Sequence, residues 1–260
     1  MKLPNAARLE NTLRQGGRAF YGKETALFGD DYGSESQYLG YSVPQQREFY
    51  KKMLKTFSKG LAEMSSAQRF AYWEKIWKTA RCFEVLSLPI FYYSDPRHHD
   101  EALLMSKRLL TFAARIDNWA HSDGLSSIYS RLLEEQGERI DVSLRKWNTH
   151  ANPWLRRQSL VSLYYYSALR KNHFPVGEAL RRVKKLLGDP HYYVQKAVGW
   201  TIREAYNVSP REVIAFIEDH IHLIPPGAYT AATEKLDARQ KEKFRRQRKE
   251  HRKSAAGPKL

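Results

Sequence analysis

The sequence predicts an all-α fold of stacked helix pairs, and three observations carry that reading. Apolar residues recur at three- and four-residue spacings along most of the 260 residues, no hairpin signal is present, and two segments repeat about forty residues apart. Helices are expected over 45–57, 67–79, 97–114, 153–170, 177–187, 191–206 and 210–222. Several of these starts carry Asp-Pro, Asn-Pro or Ser-Pro, which places a side-chain acceptor before a proline whose missing N–H costs a helix nothing in its first turn.

The repeat sets WLRRQSLVSL at 154–163 over YVQKAVGWTI at 193–202, each introduced by a proline, Pro153 or Pro190. Arg157 then stands opposite Lys196 at a separation of 39 residues, and similar steps backwards reach Trp119 and Arg81. A period near 40 in a helical chain is the signature of HEAT-type pairs, each of which buries its apolar face only against its neighbours. An ordinary helical bundle with two coincidentally similar segments is the alternative. As an array, the pairs form a curved solenoid whose second helices line a concave groove. Arg157, Lys196 and Trp200 would share that groove with Trp119 and Asp123.

Residues 1–238 read as one such repeat domain, interrupted at 16–42 by a Gly- and Tyr-rich, loop-bearing helical stretch. Residues 239–260 read as a basic C-terminal tail, because 239–253 holds nine Lys or Arg against two Glu. Such a run is a solvated tail or a frayed helix, able to add phosphate contacts but not to read bases.

The balance of charge points to a polyanion. Lys and Arg number 44 against 28 acidic residues, a net charge of +16, and a field of that sign concentrates phosphate chains at the surface. Cys82 is the only cysteine, which excludes an intramolecular disulfide and a cysteine-based zinc site. Neither His98-His99 nor His220 with His222 has i,i+4 spacing or an evident third ligand, so no metal is expected. Glycine-rich phosphate loops and a serine nucleophile elbow are lacking. The start MKLPNAARLENTLRQ has no apolar core of a signal peptide, and no apolar run approaches the ~18 residues of a spanning helix. The reading is a cytoplasmic, nucleoid-associated protein with no membrane contact.

Trp119 and Asp123 lie one helical turn apart in IDNWAHSDGLSSIYSRLL, so a carboxylate and an indole would share a face and pair negative charge with an aromatic wall. Asp123 has a second reading as the N-cap of a helix starting at GLSSIYSRLL, and Trp119 and Trp200 a second reading as core packing. Arg157 beside Arg156 could equally be a surface charge or a salt bridge between repeats.

Together LGYSVPQQR at 39–47, the Trp119/Asp123 pair, WLRR at 154–157 and DPHYYVQKAVGWTIREAYNVSPREVIAFIEDH resemble the AlkD-like DNA alkylation repair family over roughly residues 30–237. The most specific piece is QKAVGW at 195–200 followed by Arg203-Glu204. The resemblance implies a monomeric, monofunctional DNA glycosylase without cofactor, excising N3- and N7-alkylated purines from double-stranded DNA without drawing the base into a deep pocket. It makes Asp123 the catalytic carboxylate and sets Trp119 and Trp200 against the sugar and backbone of the lesion nucleotide. It also brings Arg157 to the DNA backbone, and Lys196 on the same face is a further DNA contact. Tyr32 is the candidate for an N-terminal tyrosine near the lesion. The chain departs from the family prototype at Ala120 and His121, where a second acid and another indole are absent. The wider family includes members that bind DNA without detectable excision, so a noncatalytic binder of damaged or branched DNA is the alternative function.

One carboxylate suits that chemistry. A purine alkylated at N7 or N3 is already cationic and leaves without protonation, so the site need only stabilise a sugar cation and orient water. Glycosidases acting on neutral sugars generally need two carboxyl groups.

Overall fold

The computed structural model of the chain describes residues 3–16, 34 and 36–255. Among them fourteen α-helices follow one another, and the only strand-like pairing is an isolated bridge between Gln37 and Cys82. In chain order the helices are α1 (Ala6–Gly16), α2 (Val43–Ala62), α3 (Ser66–Thr79), α4 (Phe83–Ser94), α5 (His99–Leu104), α6 (Ser106–Leu109), α7 (Trp119–Gln136), α8 (Glu138–Trp147), α9 (Pro153–Tyr164), α10 (Val176–Lys185), α11 (Tyr192–Val208), α12 (Pro210–His220), α13 (Pro226–Ala232) and α14 (Ala238–Ala255). The chain divides into two units, Met1–Ile128 and Tyr129–Leu260, and passes from one to the other within α7.

In the first unit, α4 packs against α1, α2, α3 and α5. Its sequence FEVLSLPIFYYS is apolar all round, which is the pattern of a helix buried on every side. The one carboxylate there, Glu84, is buried and accepts the backbone N–H groups of Leu39 (2.9 Å) and Tyr41 (3.3 Å). That bond ties the LGYS segment to the core. Ser42 begins α2 where Gln45 Oε1 reaches back to its N–H at 2.8 Å, and Ser65 begins α3 by the same device through Gln68.

The second unit is built on α11. Val194, Ala197, Val198, Thr201, Ile202 and Ala205 are all buried, an i, i+3, i+4, i+7 stripe that packs on α9 on one side and α13 on the other. The two segments matched in the internal repeat, on α9 and α11, therefore lie side by side. The helices preceding them, α8 and α10, pack against α9 and α11 respectively, the pairing expected of HEAT-type units. Gly199 sets the approach to α13, because a Cβ there would stand 2.3 Å from the Ala228 carbonyl oxygen.

Beyond the helices for which the sequence expectation set no range, such as α4, α7 and α8, three of the segments it did assign take another form. Residues 97–114 are not one helix but α5 and α6 flanked by 3-10 turns at Pro96–His98 and Leu110–Arg115. Around the second of these turns Leu109, Leu110, Phe112 and Ala113 are buried, two pairs three residues apart, the spacing that a 3-10 winding brings onto one side. Residues 153–170 form a helix only to Tyr164, because Tyr166 takes a left-handed backbone (φ 50°) before a 3-10 turn at Ser167–Leu169. The basic stretch from 239 is an ordered, docked helix. On α14, Phe244 is fully buried, and Arg248 donates to the carbonyls of Ile221 (3.2 Å) and Ile224 (2.7 Å) with its guanidinium over the Tyr229 ring.

Gly199→Ala should lower stability by about 2 kcal/mol or more despite alanine's better helix propensity, because backbone atoms of α13 must retreat. Urea denaturation of the two proteins measures this. An unchanged midpoint would mean that the α11–α13 contact is not as close as described.

Candidate active site

Trp119 is the first residue of α7, so the helix begins four residues before Asp123. The capping side chain is Asn118, whose Oδ1 accepts the His121 N–H at 2.8 Å. That geometry removes the reading of Asp123 as an N-cap: it sits in the second turn, half-buried, on the same face as Trp119. Trp119 is 37% exposed and is not a core residue.

Asn118 and His121 fix this end of α7 onto α4. The buried His121 ring stacks on Phe83 with centroids 4.2 Å apart and meets Trp77 edge-on. Its Nδ1 faces the Asn118 amide nitrogen at 2.9 Å, while Nε2 lies 3.1 Å from Ser87 Oγ and 3.2 Å from the Phe83 carbonyl. An amide N–H donates to Nδ1, so the ring proton sits on Nε2 and is shared by the two oxygens. The Asn118 amide also donates to Asp117 Oδ1 at 2.8 Å. One turn further, a Cβ on Gly124 would come within 2.6 Å of Ile90 Cγ2, so α7 and α4 touch beside Asp123. His121, noted in the sequence only as a departure from a motif, is thus the anchor of the turn that presents Trp119 and Asp123. Burial pushes its imidazole down to about 4.

In the second unit, Lys196 and Trp200 occupy the outward side of α11, opposite the buried stripe. Tyr192 and Arg203 continue the same face in either direction. Tyr192 is 56% exposed with Lys196 Nζ 5.7 Å from its ring, and the Arg203 guanidinium lies 5.7 Å from the Trp200 ring. An aromatic, a cation, an aromatic and a cation therefore alternate along one helix, a pattern suited to a chain of phosphates and flat bases. The sequence reading named Lys196 and Trp200 as candidate DNA contacts and Arg203 only within a family motif, and it did not single out Tyr192, although all four recur at spacings of three and four.

Arg157 is not on that surface. It is 6% exposed and donates from Nη1 to the Tyr193 carbonyl at 2.9 Å, in the first turn of α11. Its neighbour Arg156 provides the salt bridge between repeats, with Nε 2.5 Å from Asp189 Oδ2, and it also donates to the carbonyls of His150 and Ala151. Asp189 in turn accepts the His191 N–H at 2.9 Å. The WLRR segment thus holds the start of α11 in place.

Other chemistries find little here. Cys82 is buried and its thiol is pushed up to about 12, chiefly by burial, so it offers no thiolate nucleophile. Among the described residues no group of three His, Cys, Asp or Glu could hold a metal ion, and no helix is long and apolar enough to cross a membrane. Tyr32 lies outside the described residues.

A family model described as DNA alkylation repair enzyme matches residues 9–236. Among solved structures, a predicted DNA alkylation repair enzyme from Enterococcus faecalis is similar with a TM-score of 0.61 at 15% identity, covering 91% of this chain and 100% of that one. At that identity the likeness bears on the fold alone, and it agrees with the all-helical architecture. A structure of smu.31 from Streptococcus mutans UA159 aligns with a TM-score of 0.48 at 18% identity, over 74% of this chain and 100% of that one. No curated protein matches the sequence.

The His121 environment sets a pH dependence. In the unfolded chain the imidazole titrates near its ordinary 6.5 and in the folded protein near 4, so between those values the unfolded state binds more protons and acid favours unfolding. Stability should fall as pH drops from 6.5 towards 4, by up to about 3 kcal/mol from this group. His121→Gln, which does not titrate, should flatten that part of the profile. Denaturant midpoints at pH 7 and pH 4.5 measure it, and parallel losses in both proteins would remove His121 as the cause.

Proposed function

The chain belongs to the DNA alkylation repair enzyme family, and from that membership we propose that it is a monofunctional DNA glycosylase hydrolysing the N-glycosidic bond of cationic N3- and N7-alkylated purines in duplex DNA. The observation that carries this reading is the pairing of Asp123 with the exposed Trp119 on one face of α7, where Asn118 has taken over the capping duty. A carboxylate and an indole on one face set negative charge beside an aromatic wall, the combination a developing sugar cation calls for.

In the proposed reaction the glycosidic C–N bond breaks with its electron pair departing on the alkylated purine, which leaves as a neutral base. Positive charge develops on the deoxyribose. The Asp123 carboxylate stabilises that charge, and orients and takes a proton from the water that attacks C1′; the indole face of Trp119 adds cation–π attraction. No general acid is required, which agrees with a site built on one carboxylate. Because the base itself is not gripped, bulk on it is tolerated and deep flipping is unnecessary, in contrast to most glycosylases.

Lys196 and Trp200, on the outward face of α11, are proposed to contact the DNA backbone. The buried Arg157 acts on that contact from beneath by fixing the first turn of the helix. A noncatalytic binder of damaged or branched DNA is the second reading. It draws on the same aromatic and cationic face and is indifferent to Asp123.

Asp123→Asn should slow single-turnover release of 7-methylguanine from methylated duplex DNA by about a hundredfold or more, with affinity kept within a few-fold, since a contact to transition-state charge is lost. Equal rates, or no release by either protein, would favour the binder. Lys196→Ala should reduce the slope of log affinity against log salt by about one unit if the ammonium neutralises one phosphate. A slope that does not change would take Lys196 off the interface.

A further inference from the structure

Tyr166 is the one non-glycine with a positive φ among the described residues, at 50°. A left-handed backbone costs an ordinary residue about 1–2 kcal/mol, and helix ends that need it normally use glycine or asparagine. Here the position carries a tyrosine whose side of the turn is half exposed, with Leu169 on the same turn 68% exposed. Neither ring burial nor local propensity accounts for that choice.

The conformation is enforced from below. Glu204 is buried and its Oε2 accepts both the N–H (2.8 Å) and the Oγ–H (2.7 Å) of Ser167. Asn207 Nδ2 donates to Ser167 Oγ at 3.0 Å, and His173 Nε2 lies 3.0 Å from the Ser167 carbonyl. Arg203 holds the other carboxylate oxygen at 3.1 and 3.2 Å. This network surrounds the residue next to Tyr166 and leaves the Tyr166 ring to meet other rings. Tyr166 stands nearly perpendicular to Tyr165 (4.8 Å between centroids, 80°) and to Trp200 (6.2 Å, 83°), and Tyr165 is tilted against Trp200 at 5.8 Å.

We propose that Tyr166, with Tyr165 and Trp200, forms a stacking platform for an unpaired nucleobase. This is a base-binding site in addition to the backbone contact given to Trp200, and it rests on the reading of the chain as a DNA-acting protein. The exposed Tyr166 ring and the half-buried rings of Tyr165 and Trp200, with the exposed Lys196 on the same face of α11 as Trp200, combine the π surface that any base can stack on with positive charge for its phosphate. Strain kept at an exposed aromatic is the mark of a binding element that must stand ready before its ligand arrives.

The test uses two duplexes that differ only in one unpaired 2-aminopurine, bulged in one and paired in the other. Wild type should bind the bulged duplex more tightly and should quench the 2-aminopurine fluorescence. Tyr166→Asn, which the left-handed backbone accepts and which has no ring, should lose about tenfold in affinity for the bulged duplex and stay within about twofold on the paired one. Tyr166→Phe should behave as wild type. Binding of both duplexes by wild type without quenching, or equal losses on both duplexes in Tyr166→Asn, overturns the platform while leaving the repair reading intact. Failure of wild type to bind either duplex overturns both.

Discussion

What the second unit can offer a partner depends on the burial of one side of α11. Once Val194, Val198, Thr201 and Ala205 face inward and Gly199 meets the backbone of α13, a helix of 3.6 residues per turn has no choice about its other side. Tyr192, Lys196, Trp200 and Arg203 must then stand outward in a row. Each buried Val or Ile contributes about 1.5–3 kcal/mol, so the orientation of the outer row is secured by the same energy that folds the unit. Arg156, Arg157 and Asp189 fix the remaining freedom, the position of the first turn.

The first unit solves the same problem with polar groups. The entry to α7 is determined by a buried histidine held neutral between an amide and two oxygens, stacked on Phe83. Such a cluster is worth having only when every member is satisfied, and it fixes position more sharply than apolar packing alone. Its cost appears in acid, where the imidazole must charge inside an apolar wall.

The elements easiest to read in the sequence were those whose apolar stripe is regular, and α11 is the clearest: an expected 191–206 against Tyr192–Val208. The all-helical class followed from the same periodicity. Where side chains override it, the pattern misleads. The run 153–170 looks helical throughout, and nothing local announces that a glutamate at 204 will capture Ser167 and end the helix at Tyr164. The basic stretch on α14 looked like solvated charge because a single Phe244 among cations carries little periodic signal, yet that one ring is fully buried. At the candidate site, the Trp119/Asp123 spacing was visible, but the capping role of Asn118 was not. The depth of Arg157 also escaped the sequence, since two adjacent arginines give no sign of which one faces inward.

The lone cysteine takes on another meaning in a family whose substrates are made by electrophiles. Agents that alkylate purine nitrogens attack thiolates faster still, because the sulfur anion is the softest nucleophile a protein carries. Cys82 is fully buried, and its thiol ionises only near 12, far above neutrality. A thiol so held is a poor trap for a methylating agent, so the single cysteine of this chain is shielded from the class of reagent that alkylates DNA.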